Sequence, residues 1–240
     1  MSMDGVKALV FDVFGSVVDW RTSIAQQAKV FFAKHGIETD GYDFAVAWRK
    51  QYQPAMEEVR SGRRPFERLD VLHRENLLKV LPQFGIDPGK LSEEEIDEFN
   101  RSWHRLDPWP DSVRALTRLK TKYFIAPLSN GNIVLMANVA KRAGIPWDAI
   151  LGSEVVRAFK PTPEAYLRTC DVLGMKPHEV ALMAAHNNDL GAARRCGLRT
   201  GFVTRPTEHG PGQTTDLKAE QDWDVIGTDF NDVATKLGCA

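Results

Sequence analysis

Short apolar runs alternate with stretches of helical periodicity along most of the chain. Lys7-Ala8-Leu9-Val10-Phe11-Asp12-Val13 is compact, apolar and β-branched in part, and it ends at Phe14-Gly15. Such a run predicts a strand buried on both faces, as in a parallel sheet. Similar runs occur at Tyr123 to Leu128, Ala149 to Gly152, Val180 to Ala184, Thr200 to Thr204 and Asp224 to Ile226. Between them, Ser112 to Lys120, Asn132 to Ala143, Pro163 to Leu173 and Leu190 to Cys196 have helical composition. This alternation predicts an α/β fold around a mostly parallel sheet.

One interval departs from the pattern. From 21 to 108 the apolar positions recur at helical spacing, as in Ala25, Ala28, Phe31 and Phe32, then Phe44, Ala47 and Trp48, then Leu69, Leu72, Leu77 and Leu78. No strand is expected there. The interval reads as a helical cap inserted after the first strand, with breaks at Gly36, Gly62, Pro82 and Pro88. Residues 1–20 and 109–240 then make the core, and Asp111 or Ser112 is expected to cap its next helix. His209 to Thr215 reads as a surface loop.

Composition narrows the function classes. The 240 residues are 43% hydrophobic and 26% charged, which supports a packed globular chain rather than a disordered one. A formal net charge of -1 gives no electrostatic footprint for nucleic acid. No apolar run approaches the roughly 20 residues that cross a bilayer, so no membrane partner is expected. The three cysteines, Cys170, Cys196 and Cys239, are widely spaced, which fits a reducing, cytoplasmic setting and suggests neither a disulfide framework nor a metal set.

In an open parallel sheet, ligands bind beyond the carboxyl ends of the strands. Asp12 closes the first strand, Ser129-Asn130-Gly131 follows the strand at Tyr123 to Leu128, and Lys160-Pro161 lies beyond Ala149 to Gly152. His186-Asn187-Asn188-Asp189 follows Val180 to Ala184. Singly, each has an ordinary explanation: a cap, a turn, a solvated lysine, a helix-end charge. Together they place a carboxylate, a hydroxyl with an amide, an ammonium and a second acid on one crevice.

These pieces, Phe11-Asp12-Val13-Phe14-Gly15-Ser16, Leu128-Ser129-Asn130-Gly131, Phe159-Lys160-Pro161 and the cluster ending at Asp189, resemble the haloacid dehalogenase superfamily in kind and in order. The resemblance implies a Rossmann-like core with an inserted cap. Phosphatases of that superfamily carry an acid two residues after the nucleophile, where this chain has Phe14, and they use magnesium near the exit of the Val180 strand, where it has Ala184-Ala185. The pattern is more similar to the L-2-haloacid dehalogenase branch, whose aromatic residue, Gly and Ser or Thr match Phe14-Gly15-Ser16. That branch also has an arginine after a tryptophan in the cap, matched by Trp48-Arg49. Ala184-Ala185-His186 replaces its usual Ser-Ser-Asn, and Asn188 stands where it often has Trp.

The resemblance implies conversion of a short 2-haloalkanoic acid to the 2-hydroxy acid, with no metal or other cofactor; the partners are the haloacid, water and halide. Asp12 attacks carbon and forms an ester, and Lys160 keeps it ionised and oriented. Ser129 and the amides near Val13 and Phe14 grip the substrate carboxylate, while Arg49 and Asn130 receive the halide. Asp189 activates water, with His186 as a competitor near the same place. Phe14, Trp20, Trp48 and Phe66 are expected to wall the pocket. A phosphatase or phosphonate hydrolase on the same fold, and a non-catalytic binding member, are the alternatives; a homodimer through the cap is left open.

Overall fold

The computed structural model describes residues 3–240; residues 1 and 2 of the expected core segment lie outside the described residues. Strand β1 (Ala8–Phe11) is fully buried and pairs in parallel with two strands from the second half of the chain. Two short strands, β2 (Val18–Asp19) and β3 (Asp107–Pro108), form an antiparallel ribbon in which Val18 faces Pro108. Between them run five helices: α1 (Trp20–Lys34), α2 (Gly41–Lys50), α3 (Tyr52–Arg60), α4 (Leu69–Val80) and α5 (Glu93–Asn100). Their starts follow from local chemistry. Asp19 accepts from Thr22 N ahead of α1, Asp40 from Tyr42 N ahead of α2, and Ser92 and Glu95 make a reciprocal capping box at α5.

Beyond the ribbon come α6 (Ser112–Lys120), β4 (Phe124–Pro127), α7 (Ile133–Ala143), a single turn α8 (Ser153–Val156) and α9 (Pro163–Leu173). The chain then makes β5 (Val180–Ala184), α10 (Asn187–Arg195), β6 (Arg199–Val203), β7 (Val225–Gly227) and α11 (Phe230–Lys236). The five strands of the main sheet lie in the order β4-β1-β5-β6-β7, every pair parallel, with Leu9 beside both Ile125 and Ala181. Apolar side chains pack both faces of this sheet, and one continuous hydrophobic cluster joins Leu9 and Phe11 to Trp20, Trp48 and Trp103 under the helices.

Three expectations change. Ala149 to Gly152 forms no strand, and the sheet ends at β4. At the outer edge of β4, Asp148 N donates to Ile125 O and Ile125 N donates to the Asp148 carboxylate. A side chain has thus replaced the ladder at that edge. Strand pairing also occurs at the border of the helical interval, in the β2/β3 ribbon, where none was expected. Asp111 precedes α6 without capping it; its carboxylate instead takes a bidentate bond from Arg205, at 2.7 and 2.9 Å, and the Phe230 N–H.

Candidate active site

Asp12 follows β1 directly, an interior strand between β4 and β5, and is buried. Its two oxygens have different surroundings. Oδ1 accepts from Lys160 Nζ at 2.8 Å. Oδ2 accepts from Ser16 Oγ at 2.6 Å and faces His186 Nδ1 at 3.0 Å. Ser16 is itself oriented, because its hydroxyl oxygen accepts from Ala185 N at 2.9 Å.

Lys160 owes its position to Asn130 rather than to a strand, since Lys160 N donates to Asn130 Oδ1 at 2.8 Å. The ammonium lies between two carboxylates and donates to both Asp12 and Asp189. Asp189 is in the first turn of α10, which begins ahead of the expected Leu190, and its other oxygen accepts from Tyr166 Oη at 2.5 Å. Burial alone would push the Asp12 carboxyl up, but the Lys160 charge and then the His186 contacts hold it well below the usual carboxylate range. Burial likewise opposes the Lys160 charge, and Asp12 and Asp189 together raise it above the ordinary lysine value.

The wall facing Asp12 comes from the helical interval. Arg49, in the last turn of α2, lies over the Tyr52 ring at 4.0 Å, with Trp20 at 5.3 Å and Phe14 at 5.7 Å. One of its terminal nitrogens, Nη1, is buried without a hydrogen-bond partner. Such an orphaned cationic donor is costly unless an anion completes it. Tyr52 Oη accepts from Asn130 Nδ2 at 3.0 Å, which ties this wall to the exit of β4. These groups line a cleft of about 560 Å³ that contains Asp12, Phe14, Arg49, Asn130, Lys160, His186 and Asp189.

The structure therefore brings seven of the expected residues to one cleft. Val13 adjoins it through the backbone: Asp12 N donates to Met183 O and Gly15 N to Val18 O, leaving the Val13 and Phe14 N–H groups between them without a protein acceptor among the described residues. Ser129 goes elsewhere. Its hydroxyl accepts from Gly131 N at 3.1 Å and it lines a small cavity beside Gly152, not this cleft. Phe66 is also absent from the aromatic wall, because it packs on Phe159 at 5.2 Å; Trp103 stands in the wall instead, 5.7 Å from Phe14.

Sequence reasoning missed Tyr52, Tyr166 and Glu208. Glu208 lies in the loop that follows β6, so the strand-exit rule that points to Asp12 points to it as well. It is 1% exposed; Oε2 faces His186 Nε2 at 2.9 Å and Oε1 accepts from Trp20 Nε1 at 3.0 Å. Potential ligand atoms of His186, Glu208 and His209 lie within 4.8 Å of one another, but both Glu208 oxygens and both His186 nitrogens already have partners in a hydrogen-bonded chain. That commitment fits a charge relay better than a chelate.

A five-stranded parallel sheet with a helical insertion after its first strand, and a carboxylate, lysine and second acid at the strand exits, defines a class of hydrolase. The family model for haloacid dehalogenase-like hydrolases matches residues 6–197, and the chain belongs to that family. It is 30% identical over 211 residues to (S)-2-haloacid dehalogenase 1 of Pseudomonas sp. (strain CBS-3), covering 85% of this chain and 86% of the relative. Its fold superposes with a TM-score of 0.97 on the crystal structure of a defluorinating L-2-haloacid dehalogenase, 51% identical, covering 100% of this chain and 99% of that one. A second L-2-haloacid dehalogenase structure gives a TM-score of 0.92 at 45% identity, over 97% of this chain and 99% of the other.

Proposed function

We propose that this protein is a hydrolytic 2-haloacid dehalogenase acting on short 2-haloalkanoic acids, without a metal, through an ester on Asp12. One observation carries the reading: Phe14 stands beside the nucleophile where a phosphatase needs an acid, and the charge facing it in the cleft is Arg49, a half-buried arginine whose buried Nη1 has no hydrogen-bond partner. A departing halide needs anion stabilisation and no proton; a departing alkoxide needs a proton donor.

In the first step Asp12 attacks the carbon bearing the halogen, with Lys160 holding it ionised. Arg49 and Asn130 receive the halide, and the Val13 and Phe14 amides hold the substrate carboxylate. Ser129 contributes by fixing the Ser129-Gly131 turn. In the second step water attacks the ester carbonyl, and Asp189 orients and deprotonates it. His186 is poorly suited to that role: burial lowers its basicity, but Glu208 and then Asp12 raise it well above the ordinary histidine value, which favours the charged ring over the free base that deprotonating water needs. The compact aromatic wall around Arg49, with the likeness to a defluorinating enzyme, supports fluoride among the accepted leaving groups.

Halide release from haloacetates and from both enantiomers of 2-halopropionate, with and without chelator, tests the reading. Release that survives chelation, prefers the L enantiomer and gives the inverted D-hydroxy acid is expected. In heavy-oxygen water, a single turnover should label Asp12; label found directly in product removes the ester. A cytoplasmic setting, consistent with three free cysteines, and a homodimer belong to the same proposal, and sedimentation at a single mass of 26.9 kDa removes the dimer. No helix among the described residues is long and apolar enough to cross a membrane.

A further inference from the structure

We propose that Ser16 and His186 form the oxyanion cradle for hydrolysis of the Asp12 ester, and that Glu208 is the positioning residue that holds His186 in place for it. The proposal rests on the dehalogenase reading and assigns the two Asp12 oxygens to different tasks.

A carboxylate oxygen accepts along two lone-pair directions. Oδ2 has two partners, Ser16 Oγ and His186 Nδ1; Oδ1 has one, Lys160 Nζ. The free direction is on Oδ1, so Oδ1 attacks the substrate carbon and Oδ2 becomes the ester carbonyl oxygen. When water oxygen then bonds to the Asp12 carboxyl carbon, the carbonyl π pair moves onto Oδ2. It returns as the bond from that carbon to Oδ1 breaks, and the hydroxy acid leaves carrying Oδ1. Of the two water protons, one reaches the departing alkoxide and one reaches solvent through Asp189. Throughout, the charge gathers on Oδ2, between a hydroxyl whose proton is aimed by Ala185 N and a ring N–H. Preorganised donors of this kind stabilise the transition state without moving.

His186 can donate at Nδ1 and at Nε2 together only as an imidazolium. Glu208 supplies the reason for it to be one. The carboxylate is walled in: a Cβ at Gly15, whose φ is +89°, would come within 2.0 Å of Oε1. Trp20 Nε1 fixes one oxygen and His186 Nε2 meets the other. A buried carboxylate without a countercharge is expensive, and the imidazolium is that countercharge. Burial opposes the Glu208 charge, yet His186 and then His209 hold its carboxyl below the usual range. The other charged or titratable groups lining the cleft are Asp12, Arg49, Lys50, Arg60, Lys160, Asp189, His209 and Asp216.

Glu208→Gln keeps the shape and removes the charge. The test combines rapid-quench halide release, steady-state turnover and intact mass of the quenched enzyme with L-2-chloropropionate. The expected result is a halide burst of about one per site, a steady state lowered roughly 10- to 100-fold, and an ester adduct accumulating on Asp12. Ester hydrolysis in this variant should also fall about tenfold per pH unit above the reduced His186 value, where the parent profile stays flat. His186→Asn, which keeps a neutral donor, should hydrolyse slowly with no such pH dependence. The double variant Glu208→Gln/His186→Asn reads the same partition with no unmatched charge in the fold. Burst and turnover falling in equal proportion with no adduct, or turnover unchanged, overturns the proposal. Failure of the parent enzyme to release halide from any 2-haloacid overturns the dehalogenase reading itself, which is a separate result.

Discussion

Two histidines flank the cleft region under opposite regimes, His73 buried behind Phe14 and His186 half-buried beside Asp12. His73, on α4, stacks on Trp103 at 4.3 Å, and neither ring nitrogen has a hydrogen-bond partner. Burial drives it down to about 3, with Arg49 and His104 adding to the effect and Asp70 opposing it. His186, on the sheet side, sits between two carboxylates and is driven the other way. Desolvation opposes a charge on both rings, yet it leaves His73 neutral in the helical wall while the acids beside His186 favour its charged form at the sheet rim. The difference lies in what accompanies each ring: aromatic faces in one case, acids in the other. The sheet rim is a matched set of charges that hold one another. The helical wall is a dry surface carrying one cation whose bonding is left incomplete.

That contrast predicts different penalties for disturbing each side. The largest effect belongs to Asp12→Asn, which should lower turnover by at least about 10⁴-fold, measured by halide release, while circular dichroism stays unchanged. Lys160→Met should damage both fold and activity. It leaves Asp12 and Asp189 buried without their shared cation, and breaking such a pairing costs about 3–5 kcal/mol, which denaturant melts would read. Arg49→Met should separate the two quantities: kcat/KM falls roughly 10²- to 10³-fold, yet melting stays level or rises, because a buried unmet donor is removed. Equal damage to stability from Arg49→Met and Lys160→Met would erase the distinction between the two sides.

The smallest effects are in pH. His186 has a folded value above its unfolded 6.5, so its contribution is complete below pH 6.5 and fades as pH rises through the folded value. His73 has the reverse sign. Its folded value of about 3 lies below 6.5, so the unfolded chain binds the extra proton and stability falls as pH drops from 6.5 toward 3. His186→Asn should flatten the melting profile on the alkaline side, and His73→Phe should flatten it on the acid side. A profile that changes on the same side for both variants breaks the comparison.

The sheet rim was legible in the sequence for a physical reason. Residues that end parallel strands converge by topology alone, so Asp12, His186 and Asp189 follow from finding β1 and β5. Lys160 reached the right place by a wrong route: Ala149 to Gly152 is apolar enough for a strand, but Asp148 occupies the edge that it would have paired with. The helical wall was less legible. Helical spacing says which positions are buried, not which neighbour each one meets. Arg49 was found through its resemblance, while Tyr52 and Trp103 were not singled out and Phe66 was placed in the wrong wall. Glu208 was missed because its loop, rich in Gly and Pro farther on, reads as surface until the carboxylate is seen inside.

The β2/β3 ribbon carries a mechanical consequence. It closes both ends of the helical insertion against the turn just after Asp12, with Trp109 N bonded to Val17 O and Trp109 Nε1 bonded to Gly15 O at 2.8 Å. A roof stitched to that turn cannot swing freely on a remote joint. Lifting it to admit a guest strains the same few peptide units that aim the attacking oxygen, so entry and aim are geared together.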